Sequence, residues 1–373
     1  MSFLERQTSF LKIQNDCIGG IFKYQFHVKQ QILLNGLNVL PKKSISMLSC
    51  CGKKDYQIIQ KVKTDQKTTI SLLGAAEGGK STFMRQIQLI FNKSQFSQQE
   101  RKYFIQIITT NIIKSTQIIL THFKGISPDV QTVSKLFMQI DAKQPLNDQL
   151  VQLMEQLLSN SVFRQYAQSS PLIVDNYFYL ASKLKTFLTE LPTNEDILKC
   201  RVKTHLLFET KITFNQQQYS FVDQAGQKEA RDRWQLSFDN IIMFFASLTE
   251  FDQQNEELQP RLKDSLQLFD SIINGNFKTK PIILCLTKAD LLADKLQKVR
   301  FSDFQPEYQG ENNSIDVAQY IQQLYERKNK VSPKIRGIKV FQVNSIDTEL
   351  VKNVCQSVFK FILDESLREL GML

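Results

Sequence analysis

The order of apolar and polar positions divides the chain into three stretches. Residues 1 to about 65 keep neither a helical nor a strand period and are rich in Lys, Gln and Ser between short apolar patches. From Thr68 the pattern becomes strand, loop and helix: Thr69-Ile70-Ser71-Leu72-Leu73, a glycine-rich loop, then a helix from Lys80 to about Phe91. Between 97 and 190 the pattern is helical only. Ile105, Ile108, Ile112, Ile113 and Ile119 fall on one amphipathic face, and Leu150, Leu153, Met154, Leu157 and Leu158 repeat that spacing. From about 206 strands alternate with helices, at Leu206–Phe214, Tyr219–Asp223, Asn240–Leu248, Pro281–Leu286 and Lys339–Val343. Such alternation predicts a mostly parallel sheet with helices on both faces. The expected organisation is an α/β domain over 66–93 and 197–373, interrupted by an all-α domain over 94–196. Residues 1–65 are expected to form a poorly ordered, basic N-terminal extension.

Composition narrows the class. With 42% hydrophobic and 23% charged residues, the chain can bury a full core and is neither collagen, coiled-coil rod nor wholly disordered. Six Cys without a C-x-x-C pair, and three scattered His (His27, His122, His205), argue against a disulfide framework or a zinc or His-based metal centre. A reduced, intracellular protein is expected. The opening Met1-Ser2-Phe3-Leu4-Glu5-Arg6 carries charge where a signal peptide needs its apolar core, and no run approaches the ~18 apolar residues of a membrane span. The net charge of +10 is concentrated at the front, where residues 1–67 hold eleven Lys/Arg against four acids. This arm suits anionic lipid, nucleic acid or an acidic partner; a solvated extension explains it equally well. No aromatic-interleaved basic patch accompanies it, so nucleic acid is not an expected partner.

Gly74-Ala75-Ala76-Glu77-Gly78-Gly79-Lys80-Ser81 satisfies G-x-x-x-x-G-K-[ST], after a strand and before a helix. Its glycines let successive N–H groups turn toward phosphate oxygens, and the helix adds its positive N-terminal dipole. Gly74, Glu77, Gly78, Gly79, Lys80, Ser81 and Thr82 are the expected nucleotide contacts. Lys80 is expected to bridge the β- and γ-phosphates, and the Ser81 hydroxyl to bind Mg²⁺. The motif fixes phosphate binding but not the base. Asp223-Gln224-Ala225-Gly226-Gln227 ends a predicted strand: Asp223 can hold Mg²⁺ through water, the Gly226 N–H can meet the γ-phosphate, and Gln227 can orient the attacking water. Thr287-Lys288-Ala289-Asp290 follows another strand, where a carboxylate at Asp290 can accept from guanine N1–H and N2–H₂ while Lys288 covers the base. In this order the three motifs favour GTP over ATP.

At these residues the chain resembles the GTPase superfamily and, within it, the α subunits of heterotrimeric G proteins. The resemblance runs from about Thr68 to Leu373. Leu198-Lys199-Cys200-Arg201-Val202-Lys203-Thr204 is similar to that family's first switch, usually L-R-x-R-V-K-T, and lies far enough past Lys80 to leave room for a helical domain. Phe96-Ser97-Gln98-Gln99-Glu100 and Tyr177-Phe178-Tyr179-Leu180 resemble parts of that domain. Lys228-Glu229-Ala230-Arg231-Asp232-Arg233-Trp234 is similar to the second switch, and Leu268-Phe269-Asp270-Ser271-Ile272 to a family helix. Asn344-Ser345-Ile346-Asp347-Thr348 resembles the loop that touches the guanine carbonyl, and Leu367–Leu373 the tail that docks into receptors. The resemblance implies a Ras-like P-loop GTPase domain interrupted by an all-helical domain, and a GTP-hydrolysing switch. It implies Arg201 as a built-in arginine finger beside Gln227, Thr204 as the second Mg²⁺ ligand beside Ser81, and Ser345 at the base. A receptor or other exchange factor is the implied partner of the tail.

The chain also departs from that family. Ala76 stands where Gly is usual, and its methyl is expected to slow hydrolysis; a catalytically impaired guanine-nucleotide scaffold is therefore the alternative reading. Gly78 replaces Ser, Ala225 the first Gly of the second switch, and Thr287 the Asn of N-K-x-D. Ser2 removes the N-myristoylation signal. Met47-Leu48-Ser49-Cys50-Cys51-Gly52-Lys53-Lys54 resembles an acylated G-protein N-terminus, so Cys50 and Cys51 are either palmitoylated at a membrane surface or simple free thiols. Translation from Met47 would make residues 1–46 an added extension. About fifteen residues separate Cys51 from the first strand, short for the helix that grips a βγ dimer. The resemblance places the protein at the cytoplasmic face of a membrane or in the cytoplasm, and names no receptor or effector.

Overall fold

A computed structural model describes residues 68–92, 95–123, 128–170, 176–202, 208–215, 217–226, 231, 234, 241–255, 258–275, 277, 280–332 and 336–369. The N-terminal arm with Cys50 and Cys51, Thr204, Gln227 and Leu370–Leu373 lie outside them. Six strands form one sheet: β1 (Thr68–Leu73), β2 (Phe208–Phe214), β3 (Gln217–Asp223), β4 (Ile241–Ser247), β5 (Ile282–Thr287) and β6 (Ile338–Val343), in the order β2-β3-β1-β4-β5-β6. β1 pairs parallel with β3 and β4, β4 with β5, and β5 with β6. The strands match the sequence pattern to within one or two residues at each end.

The central strands read as unbroken apolar runs because both faces are buried. In β4, Ile242, Phe244 and Ala246 join a cluster with Phe269, Ile273, Ile321 and Tyr325. These come from α8 (Arg261–Asn274) and α10 (Ser314–Glu326), and Leu292 of α9 (Ala289–Leu296) joins the same cluster. The alternate residue Phe245 points the other way and meets Phe83 edge-on at 5.1 Å. Phe83 belongs to α1 (Lys80–Phe91), and Phe91 meets Phe359 of α11 (Thr348–Glu369) on the same face.

A second core is built from a contiguous piece of chain. α2 (Gln98–His122), α3 (Pro128–Met138), α4 (Asp148–Ser159), α5 (Ser161–Ser169) and α6 (Tyr177–Ser182) surround Ile108, Ile112, Ile113, Ile119, Leu150, Met154 and Leu157. A short helix, α7 (Asn194–Lys199), follows. α2 opens with a capping box in which Ser97 and Glu100 exchange bonds, so its 25 residues start at a defined point. Asn147 and Asn160 cap α4 and α5 with a single bond each, accepting from a backbone N–H three residues on.

By its contacts the chain divides into two units. The larger, 68–212 with 218–360, contains both cores. The other comprises 1–67, 213–217 and 361–373; its described residues are those of the β2–β3 turn and the last turns of α11.

Candidate functional site

The loop after β1 is shaped by backbone. Gly74 has φ 136°, and a Cβ there would lie 2.2 Å from the Phe245 carbonyl oxygen, so only glycine lets the chain leave β1 this close to β4. The loop then folds around its own lysine: Lys80 Nζ donates to Gly74 O at 2.9 Å and Ala75 O at 2.7 Å. Two of three ammonium protons are thus fixed, and the third has a set direction. The N-cap of α1 is Gly79, among the described residues no side chain caps the helix, and its first turn holds no acid. Backbone N–H groups and dipole therefore favour an anion at this end. Burial pulls the Lys80 ammonium down to about 8, partly opposed by Asp223.

Ser81 Oγ donates to Asp223 Oδ2 at 2.6 Å. The other carboxylate oxygen, Oδ1, is buried and has no hydrogen-bond partner among the described residues, and burial raises the Asp223 carboxyl against the pull of Lys80. A hydroxyl beside an unspent carboxylate oxygen is the hard oxygen donor set that Mg²⁺ prefers, so these residues fit that ion.

Glu77 sits on the crest of the loop at φ 63°, a left-handed conformation that costs a non-glycine residue energy. Two arginines hold its carboxylate. Arg201 Nη2 pairs with Oε1, and Arg261 Nη1 with Oε2 at 2.9 Å. Arg261 Nη2 also donates to Ala76 O at 2.6 Å. Burial would raise the Glu77 carboxyl; Arg261, then Arg201 and Lys288, overcome it and hold the group below its ordinary value. Asn176 and Lys288, at φ 62° and 59°, line the same cleft in the same strained region.

That cleft is lined by Ala76 through Thr82, Arg85, Leu198 through Val202, Gly226, Lys288, Asp290 and Asn344 through Ile346. It brings together most of the site residues expected from sequence. Three expected residues stand behind it. Gly74 shapes the loop, Asp223 holds Ser81, and Thr287 is wholly buried. The Thr287 hydroxyl has one proton, placed between Gly78 O at 2.9 Å and Ala246 O at 3.2 Å, so this residue ties the phosphate loop to the sheet. Gln86, also buried, donates to Ile346 O at 2.9 Å and links α1 to the 344–348 loop.

Near the sheet's end, a Cβ on Gly226 would lie 2.4 Å from Gly74 O and 2.5 Å from Lys80 Nζ. Arg231 clamps this turn, with Nε to Gly226 O at 3.2 Å and a two-pronged bond to Asp264 at 2.9 and 2.7 Å. Trp234 Nε1 donates to Ala225 O at 2.8 Å. Sequence reasoning missed Arg261 and Arg85. Arg261 opens α8 after Pro260, over 180 residues from the loop it holds, and no local pattern marks it.

The family model described as "G-protein alpha subunit" matches residues 53–362. The chain is 33% identical over 343 residues to a guanine nucleotide-binding protein alpha-2 subunit of Schizosaccharomyces pombe, covering 86% of this chain and 95% of that one. It is 31% identical over 324 residues to a G(o) subunit alpha of Caenorhabditis elegans, covering 81% and 89%. An alpha-7 subunit of Caenorhabditis briggsae is 31% identical over 348 residues, covering 86% and 97%.

Proposed function

The chain belongs to the G-protein α-subunit family, binding GTP and GDP with Mg²⁺ and hydrolysing GTP as a signal-transducing switch, and from this membership we propose how its own residues perform that work. The proposal divides the chain as its sequence pattern does: 66–93 and 197–373 form the GTPase domain and 94–196 the helical domain. Gly78, Gly79 and Lys80 hold the phosphates, with Glu77 and Thr82 at the rim. Lys288 and Asp290 select guanine, with Ser345 beside the base and Thr287 supporting the loop from behind. Bound Mg²⁺ would supply positive charge to the phosphate oxygens. Ser81 and Thr204 are its proposed ligands, and Asp223 fixes the Ser81 hydroxyl.

Hydrolysis then needs three acts from the chain. Gln227 orients the attacking water. The Arg201 guanidinium leaves Glu77 and meets the charge growing on the γ-phosphate. The Gly226 N–H holds a γ-phosphate oxygen, drawing the segment around Arg231 and Trp234 with it, and loss of the phosphate releases that segment. What supports this reading is one observation: Lys80, Ser81, Arg201, Gly226, Lys288 and Asp290 line a single cleft. Family members work with receptors, βγ dimers and effectors in general. For this chain we propose an exchange factor or receptor at the 367–373 tail, and membrane contact through acylated Cys50 and Cys51 with the basic arm.

Trp234 is the single tryptophan and tests the mechanism directly. Its emission is recorded with Mg²⁺ and GDP, then with aluminium fluoride, then with ADP in place of GDP. A change with GDP and aluminium fluoride, absent with ADP, is expected. A response to ADP, or none despite tight GDP binding, sinks the switch mechanism.

A further inference from the structure

Arg201 ends a segment whose carbonyls are taken in succession by side chains from elsewhere. Arg85 Nη1 donates to Ile197 O at 2.8 Å and to Cys200 O at 3.1 Å. Thr82 Oγ1 donates to Leu198 O at 3.4 Å, and Asn176 Nδ2 to Lys199 O at 3.4 Å. The Arg201 carbonyl itself accepts from Asn111 Nδ2 at 2.7 Å, the shortest of the set. Asn111 lies mid-way along α2, where asparagine is a poor helix former, so helix propensity does not explain it. Its neighbours Ile112 and Ile113 are buried in the helical core, which gives the amide a rigid base.

We propose that Asn111 is a positioning residue for GTP hydrolysis, fixing the backbone pivot from which the Arg201 side chain swings between Glu77 and the γ-phosphate. The inference rests on the reading of Arg201 as the catalytic arginine. A guanidinium stabilises the transition state only where charge develops, and small displacements of a catalytic group lose much of its effect. Nucleotide binding uses the phosphate loop and the base loop instead. Loss of the Asn111 amide therefore lowers the rate of hydrolysis and leaves affinity alone. Arg85 acts on the same segment, but it also belongs to α1, so its removal disturbs both at once.

The test is a double-mutant cycle in the full chain. Asn111→Ala and the isosteric Asn111→Asp are made in the wild-type and Arg201→Ala backgrounds, and single-turnover GTP hydrolysis, GDP affinity and melting temperature are measured. Asn111→Ala is expected to slow hydrolysis about five- to tenfold, the worth of one such hydrogen bond, with GDP affinity within about twofold. Asn111→Asp is expected to slow it at least as much, because a carboxylate has no N–H to donate and repels the carbonyl. With Arg201→Ala in place, neither change should slow the reaction further. If Arg201→Ala is slow but the Asn111 variants match wild type, the inference is wrong. It is equally wrong if they slow both backgrounds alike, or if the loss follows GDP affinity. An Arg201→Ala variant as fast as wild type overturns the underlying reading, and the inference with it. Where Asn111→Ala lowers the melting temperature, the isosteric variant carries the same comparison.

Discussion

The phosphate loop and the Arg201 segment face each other across one cleft, yet they are held in place by different means. The loop takes its path from backbone, where Gly74 passes within contact of the Phe245 carbonyl, and its carbonyls are then held by Lys80 from within and by Thr287 and Arg261 from the sheet and α8. The Arg201 segment is hung from side chains, those of Arg85, Thr82, Asn176 and Asn111. Backbone geometry tolerates little substitution and serves binding. Side-chain suspension can be tuned one residue at a time and, on the proposed role of Arg201, serves rate. That proposal makes affinity and turnover separable, and Glu77 links the loop to both Arg201 and Arg261, one carboxylate oxygen on each.

The largest expected effect breaks the backbone side of this comparison. Gly74→Ala puts a methyl 2.2 Å from the Phe245 oxygen at a φ of 136°. GDP affinity should fall by about a hundredfold, equivalent to roughly 3 kcal/mol. Wild-type affinity in a calorimetric titration would show that the sheet does not shape the loop. Ala76→Gly tests the border between the two systems, since Ala76 and Arg201 line the same cleft. Single-turnover hydrolysis should rise about five- to tenfold with unchanged GDP affinity, a barrier change of roughly 1 kcal/mol. A rate at or below wild type argues that the methyl does not obstruct the reaction.

The smallest effect is one of pH. Burial depresses the Lys80 ammonium to about 8, and phosphate oxygens favour its charged form. Binding therefore takes up a proton once the pH exceeds 8, and GDP affinity weakens as pH rises, by about threefold between pH 7.5 and 8.5. Titrations in two buffers of different ionisation enthalpy measure that uptake. Proton release, or a flat profile, would mean that Lys80 stays charged throughout.

Much of the architecture was legible because its determinants are local or periodic. The continuous apolar run of β4, the amphipathic spacing in α2 and α4, and the loop around Gly74–Ser81 each specify their own backbone. The candidate site was legible where a motif is contiguous. It was not legible where a residue acts at long range. Arg261 reaches Ala76 and Glu77 from the start of another helix, and Asn111 reaches Arg201 from α2; neither stands in a pattern that differs from an ordinary helical surface. Thr287 was readable as part of a base motif, but its hydroxyl is spent on Gly78 and Ala246, which only the packing reveals.

The two cores also set an order of synthesis. The helical core is drawn from one uninterrupted stretch ending near Cys200, so every residue it needs has been made before β2 begins. The sheet has no such luck. β1 is made early but its partners β3 and β4 follow the whole helical stretch, and Gly74 waits some 170 residues for the Phe245 carbonyl against which it turns. At ribosomal speeds of roughly 5–20 residues per second, that is many seconds in which the phosphate-binding sequence exists without its seat. The element that is most self-evident on paper thus gains its seat only once about two thirds of the chain has been made.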